Sequence, residues 1–228
     1  MKDRHLARLC RRAAKNTLYI FGIKYSLKGV HLLQPEKNYI YIANHRSWLD
    51  QPSVIAAAPQ LLHFLGKEDY FSYPFLKTTL RLFRCVPVKK GQRSELIERL
   101  EKCLQDGGSL VLYPEGTRSR DNTFLPFRSG AYVLSAKTGV EIVPLYIHGA
   151  YENLPPASSF MMLRPQPIHV EVGEPFVVPS EFLEDPETSG YQEEYIQAFE
   201  QSKVQHLALS SQHISEQKSS AAQKGIRS

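Results

Sequence analysis

Short apolar runs recur along the chain, each closed by a polar or glycine-containing turn, and this rhythm points to the fold class. Tyr39-Ile40-Tyr41-Ile42-Ala43, Val86-Pro87-Val88, Ser109-Leu110-Val111-Leu112 and Ile142–His148 are too short for buried helices and rich in β-branched or aromatic residues, which predicts strands. Ile168, Val170 and Val172 alternate with His169 and Glu171, so a final half-exposed strand is expected there. Between these runs the spacing turns helical. Pro52 followed by Val54-Ile55-Ala56-Ala57-Ala58 predicts a helix with proline in its first turn. Ser94 is placed to cap a helix whose apolar face includes Leu100, Cys103 and Leu104 and which Gly107-Gly108 stops. Further helices are predicted over Ala131–Lys137, before Gly139, and over Glu187–Leu209, with the polar stretch Ser210–Ser228 expected to be disordered. Within Leu61–Phe83, Leu62, Phe64, Leu65, Tyr70, Phe71, Phe75, Leu80 and Phe83 predict helices packed on the sheet. Strand and helix in alternation give an α/β fold, a central mostly parallel (mixed) sheet flanked by helices. Pro144 inside its strand predicts an edge or a bulge.

The amino-terminal segment, residues 1–29, has a different pattern. From residue 4 to residue 28 there are seven lysines and arginines (Arg4, Arg8, Arg11, Arg12, Lys15, Lys24 and Lys28) and no acid. Leu6, Leu9, Cys10, Ala13, Ala14, Leu18 and Phe21 recur at helical spacing, which predicts an amphipathic cationic helix. Such a helix can lie among anionic lipid headgroups. It can equally pack on the protein's own sheet with its basic face in water. No recognisable nucleic-acid module accompanies the charge, so nucleic acid is not expected as a partner. No run approaches the ~20 apolar residues that cross a bilayer. Leu18–Ile23 is too short and lacks a cleavage site for a signal peptide. The expectation is a peripheral or monotopic protein.

The remaining 30–209 stretch reads as one globular domain, since 228 residues with 42% hydrophobic and 22% charged content form a core of ordinary size. A formal net charge of +5 suggests an anionic partner without naming one. Cys10, Cys85 and Cys103 are scattered and odd in number, which fits a reducing compartment, hence the cytoplasmic face, and argues against a zinc site.

Two stretches carry candidate chemistry. Asn44-His45-Arg46-Ser47-Trp48-Leu49-Asp50 lies between a predicted strand and a predicted helix. Five residues apart on a regular helix, His45 and Asp50 would be rotated by roughly 140° and would not meet. A non-helical turn can fold the carboxylate onto the imidazole, the usual device for taking a proton from a hydroxyl. The alternative is a surface histidine and an aspartate that only caps the helix. The second stretch, Tyr113-Pro114-Glu115-Gly116-Thr117-Arg118-Ser119, also follows a strand, at the end where open α/β sheets bind ligands. Arg118 offers a planar fork to a phosphate, and Gly116 lets the backbone come close.

Asn-His-x-x-x-x-Asp followed by Tyr-Pro-Glu-Gly-Thr-Arg-Ser resembles the glycerolipid acyltransferases of the lysophosphatidate acyltransferase type. The similarity continues through Leu65-Gly66-Lys67, Val86-Pro87-Val88, Pro126-Phe127-Arg128-Ser129-Gly130 and Ile142-Val143-Pro144-Leu145, about residues 30–178. The resemblance implies transfer of a fatty acyl group from coenzyme A or acyl carrier protein to the sn-2 hydroxyl of 1-acyl-sn-glycerol 3-phosphate, giving phosphatidic acid. It implies His45 as base, Asp50 as its orienting acid, and Glu115, Gly116, Thr117, Arg118, Lys90, Arg93 and Lys67 as substrate-binding residues. The acyl thioester is a co-substrate, and no metal or resident cofactor is expected. Backbone amides near Gly116 or in the turn at His45 are candidates to stabilise the oxyanion. Lys90 stands where the family usually has arginine, and Arg84-Cys85 replaces a glycine-containing segment. A different lysolipid acceptor, a hydrolase and a catalytically silent lipid-binding relative therefore remain alternatives.

Overall fold

The computed structural model describes residues 2–73, 77, 80, 84–89, 91–156 and 165–203. Helix α1 (Lys2–Ile20) leads to strand β1 (Tyr25–Lys28), and β2 (Ile40–Ala43) delivers the first motif to α2 (Asp50–Ala57). Then come β3 (Leu62–His63), β4 (Leu65–Lys67), β5 (Val86–Val88), α3 (Arg93–Gln105) and β6 (Ser109–Leu112), which delivers the second motif. The chain continues through α4 (Gly130–Thr138), β7 (Ile142–His148), α5 (Ala150–Asn153), β8 (Ile168–Val172) and a helix α6 over 189–203.

Six strands make one sheet in the order β1-β8-β7-β2-β6-β3. Strands β7, β2, β6 and β3 run parallel, β8 opposes β7, and β1 follows β8, so the sheet is mixed and mostly parallel. Both of its faces are covered. Tyr39, Tyr41 and Ala43 join Leu18, Val54 and Leu145 on one side, while Ile40 and Ile42 join Leu100, Leu134 and Tyr195 on the other. Burial on two faces is why β2, β6 and β7 read as uninterrupted apolar runs rather than alternating ones.

Several expectations change on contact with the structure. Leu61–Phe83 does not begin as helix: Leu62 and Phe64 are buried, Leu65 is exposed, and this two-residue alternation belongs to β3 and β4. Strand β4 pairs with β5 in a separate parallel ladder, started by the bond from Val86 N–H to the Phe64 carbonyl. Of the later part of that stretch, residues 74–76, 78–79 and 81–83 lie outside the described residues. Ser94 does not cap α3, which starts at Arg93. Its far end closes as expected, with Gly108 N–H reaching back to the Cys103 carbonyl and Gly107 at φ 81°. Pro144 sits in an interior strand rather than at an edge. Its carbonyl accepts from Gly173 N–H, just past the end of β8, so the ring that replaces its N–H faces the point where the ladder has stopped. Strand β8 is more buried than its alternation predicts, because His169 turns inward to share a hydrogen bond of 2.9 Å between its Nδ1 and Ser26 Oγ.

The amino-terminal segment belongs to the domain more closely than its composition suggests. Ala7, Ala14 and Leu18 are buried, α1 packs on α2, and Tyr25–Lys28 forms an edge strand of the main sheet. Leu9, Tyr19 and Ile20 remain exposed. The carboxyl-terminal residues expected to be disordered, 210–228, lie outside the described residues.

Candidate active site

The chain leaves β2 at Ala43, beside the ends of β6 and β7. Asn44 acts there as an extra rung: its Nδ2 donates to the Ile147 carbonyl at 3.0 Å and its Oδ1 accepts from Ile147 N–H at 2.9 Å. That pair of bonds fixes the level at which the next residue, His45, emerges. Asp50 is the first residue of α2 and is fully buried, yet its side chain turns back across the loop. Asp50 Oδ2 lies 2.9 Å from His45 Nδ1 and accepts from Arg46 N–H at 2.7 Å and Ser47 N–H at 2.8 Å. Asp50 thus holds the turn and the imidazole together. A carboxylate can only accept, so Nδ1 carries the proton and Nε2 holds the lone pair.

The imidazole is held on its flat face as well. The Tyr113 ring stacks on His45 with centroids 3.9 Å apart and planes 16° from parallel. Burial, then the charge of Asp50, pushes the Tyr113 hydroxyl well above its ordinary pKa. Tyr113 Oη and Asp50 Oδ1 are buried and have no hydrogen-bond partner among the described residues.

Glu115 was expected to touch substrate, but the structure directs its side chain inward. Oε1 accepts from His45 N–H at 3.0 Å and Oε2 accepts from Leu125 N–H at 3.0 Å. Burial pushes its carboxyl above the ordinary glutamate pKa, a rise held back by those two amides and by the charge of Arg46. Ser119 N–H completes the link by donating to the His45 carbonyl at 2.9 Å. The loop after β6 therefore grips both backbone groups of His45.

Between those two anchor points lies Arg118. Its guanidinium carbon is 3.7 Å from the centroid of the Trp48 ring, and its Nη1 is buried without a hydrogen-bond partner among the described residues. Gly116 adopts φ 71°, and a Cβ there would come within 2.5 Å of Arg128 Nε. The backbone is thus strained against any L side chain, and a second guanidinium, that of Arg128, lies where a Cβ would go. Thr117 is exposed. Arg93 opens α3 and donates to Ser129 Oγ at 2.7 Å, while Lys67 ends β4 on the surface. Lys90 lies outside the described residues.

Of the amides expected to stabilise an oxyanion, four are occupied: those of Arg46 and Ser47 by Asp50, that of His45 by Glu115, and that of Gly116 by the Tyr113 carbonyl at 2.9 Å. Sequence reasoning also missed Asn44, Tyr113, Trp48, Arg128 and Arg46. Arg46 is buried, with its guanidinium 4.2 Å from the Phe124 ring centroid and Nη1 donating to Asn122 Oδ1 at 2.9 Å. Their presence inside or beside the two motifs was the available signal.

A histidine oriented by a buried carboxylate, with a guanidinium in the adjoining loop at the ends of neighbouring parallel strands, defines an α/β site suited to base-assisted chemistry on an anionic substrate. The sequence profile of the Acyltransferase family matches residues 24–148, more than half of the chain, and the chain belongs to that family. It is 32% identical over 122 residues to a chloroplastic 1-acyl-sn-glycerol-3-phosphate acyltransferase of Brassica napus, covering 52% of this chain and 35% of that protein. Against the chloroplastic enzyme of the same name from Arabidopsis thaliana it is 30% identical over 149 residues, covering 64% of this chain and 41% of that one. The match thus spans less than half the length of either plant protein. The crystal structure of the 1-acyl-sn-glycerophosphate acyltransferase PlsC from Thermotoga maritima superposes with a TM-score of 0.74 at 25% identity, covering 89% of this chain and 84% of that one.

Proposed function

We propose that the protein transfers a fatty acyl group from an acyl thioester to the sn-2 hydroxyl of 1-acyl-sn-glycerol 3-phosphate, forming phosphatidic acid. The observation that carries this reading is the double grip of the loop after β6 on the backbone of His45, through Glu115 and Ser119, which flank Arg118. It ties the candidate base to the candidate phosphate anchor. On this reading a glycerol phosphate presents its phosphate to Arg118 and its free hydroxyl to His45.

In the reaction, His45 Nε2 removes the hydroxyl proton as the oxygen attacks the thioester carbonyl. Asp50 stabilises the imidazolium that forms. Collapse of the tetrahedral intermediate breaks the carbon–sulfur bond, and the imidazolium returns its proton to the departing thiolate. An alcohol is a weak nucleophile at neutral pH, which is why the base is needed. Arg118 binds the phosphate as a fork, with Lys67, Lys90 and Arg93 adding positive charge on the acceptor side. The donor is carried by coenzyme A or acyl carrier protein.

The protein works at the cytoplasmic face of a membrane, attached through α1, whose cations and exposed Leu9, Tyr19 and Ile20 suit an anionic lipid surface. Among the described residues no helix is long and apolar enough to cross one.

Purified protein incubated with lysophosphatidate, with lysolipids of larger head group, and with either donor type tests the reading once the lipids are resolved by mass. Phosphatidic acid is expected as the product, with His45→Ala reducing its rate by about a hundredfold to ten-thousandfold, the range a general base supplies. Arg118→Ala should chiefly raise the KM for the acceptor. Full activity in His45→Ala would remove the base, and release of free fatty acid without an acceptor would indicate a hydrolase instead.

A further inference from the structure

The single tryptophan of the chain lies inside the first motif, in a setting its neighbours do not share. Ser47 and Leu49 on either side are buried, whereas Trp48 is 44% exposed. The Arg118 guanidinium instead lies over its indole, at 3.7 Å from ring centroid to Cζ. Stacking occupies the flat face of a guanidinium and leaves its N–H donors free in the plane, so it orients the group without consuming its hydrogen bonds. Arg118 Nη1 fits that description, being buried and without a hydrogen-bond partner among the described residues.

The support under Trp48 is equally specific. Asp50 Oδ2, the oxygen that orients His45, also pins the N–H groups of Arg46 and Ser47, the two residues before the tryptophan. One buried carboxylate therefore fixes the base and the platform on which the arginine rests. Resting on the acyl-transfer reading above, we propose that Trp48 is a positioning residue for the acceptor: it holds the Arg118 fork at a set distance from His45, so that a phosphate monoester caught by Arg118 presents its hydroxyl to the base. Trp48 touches neither reacting atom. Its contribution lies in the affinity and placement of the phosphate, not in proton transfer.

Two readouts test this on the full-length protein. The first is kinetic, using a short-chain lysophosphatidate below its micellar concentration, so that membrane binding plays no part. Trp48→Ala is expected to raise the acceptor KM about tenfold, the size of a partly desolvated cation–π contact, with kcat and donor KM changed less than about twofold. Trp48→Phe, which restores a ring face, should recover most of that loss. In an Arg118→Ala background Trp48→Ala should add nothing, since the two act as one unit.

The second readout is independent of turnover. Trp48 is the only indole, so its emission reports on the guanidinium above it. Titration with glycerol 3-phosphate should change the fluorescence of the wild-type protein in a saturable way and leave that of Arg118→Ala unchanged. An acceptor KM unaltered in Trp48→Ala, an equal rise in donor KM, or an effect that persists without Arg118 each overturns the proposal. If Trp48→Ala fails to fold, Trp48→Phe and the wild-type titration still decide it. Wild-type protein that transfers no acyl group to any lysophosphatidate sinks the functional reading instead, and the fluorescence titration then shows whether the paired residues still bind the phosphate.

Discussion

Glu115 shows how one side chain can matter to the site without facing a substrate. Each of its oxygens accepts one backbone N–H, from His45 and from Leu125, so a residue there needs two acceptors. Glutamine has one acceptor and an amide NH2 that would meet an N–H head on. Glu115→Gln should release His45 and lower kcat about tenfold to a hundredfold, the scale of loss from small misplacement of a reacting group. The pH dependence separates this from a simple loss of charge. Because burial raises the Glu115 pKa in the folded state, its contribution to stability is fully present below the ordinary glutamate pKa and is lost as pH rises through the raised one. Thermal midpoints at acidic and neutral pH should therefore shift in favour of Glu115→Gln as pH rises; a constant difference would contradict the raised pKa. Tyr113 gives a complementary case. Its ring supports His45, while its buried hydroxyl has no hydrogen-bond partner among the described residues. Tyr113→Phe should keep activity and gain about 1 kcal/mol, since it relieves the desolvation penalty of an unsatisfied buried hydroxyl. Tyr113→Ala should lower kcat by leaving the imidazole unsupported. Denaturant titration beside steady-state kinetics checks both. The motifs made His45, Asp50 and Arg118 conspicuous in sequence. The contact of Asp50 with His45 was legible there too; the Tyr113 and Trp48 stacks were not, because they join residues from two separate loops.

At the level of elements, legibility followed burial. Strands β2, β6 and β7 were readable because both faces are covered, every residue is buried and most are apolar. Strands β3 and β4, two and three residues long, were hidden because their pairing depends on β6 and β5, which lie far along the chain. Helix α1 is the mixed case: its periodicity was visible, but not which apolar side chains meet the protein. Leu18 is fully buried, and α1 packs on α2, the helix that begins with Asp50. Leu18→Ala should therefore destabilise the domain by about 3 kcal/mol, within the range for large-to-small core changes. Tyr19→Ala, at a position 82% exposed, should leave the unfolding midpoint unchanged. Equal losses in the two variants would mean that α1 packs with a different face.

For the molecule as a whole, the question is how a protein in which no described helix is long and apolar enough to cross a membrane would reach the lipid acceptor proposed above. Leu9 and Ile20 are eleven residues apart, about three helical turns, and so lie on one line of α1, well away from the buried Leu18. Arg8, Arg12 and Lys15 lie together on one side of that line, and no acid occurs from residue 4 to residue 28. Two forces then act on a membrane surface: attraction of each cation to anionic lipid, on the order of 1 kcal/mol, and burial of a few apolar side chains. They respond differently to salt, because at ~0.1 M the screening length is about 10 Å and shortens further as salt is added, while apolar burial is not screened. Sedimentation with vesicles should therefore show strong binding to phosphatidylglycerol-containing bilayers at low salt and weak binding to pure phosphatidylcholine. Binding should weaken but persist at high salt, and replacing Leu9 and Ile20 together by alanine should remove the persistent part. Charge alone would leave nothing bound at high salt, and a purely apolar attachment would not distinguish the two lipids. Either result would require α1 to be joined to the membrane by a balance of forces other than the one its two exposed sides present.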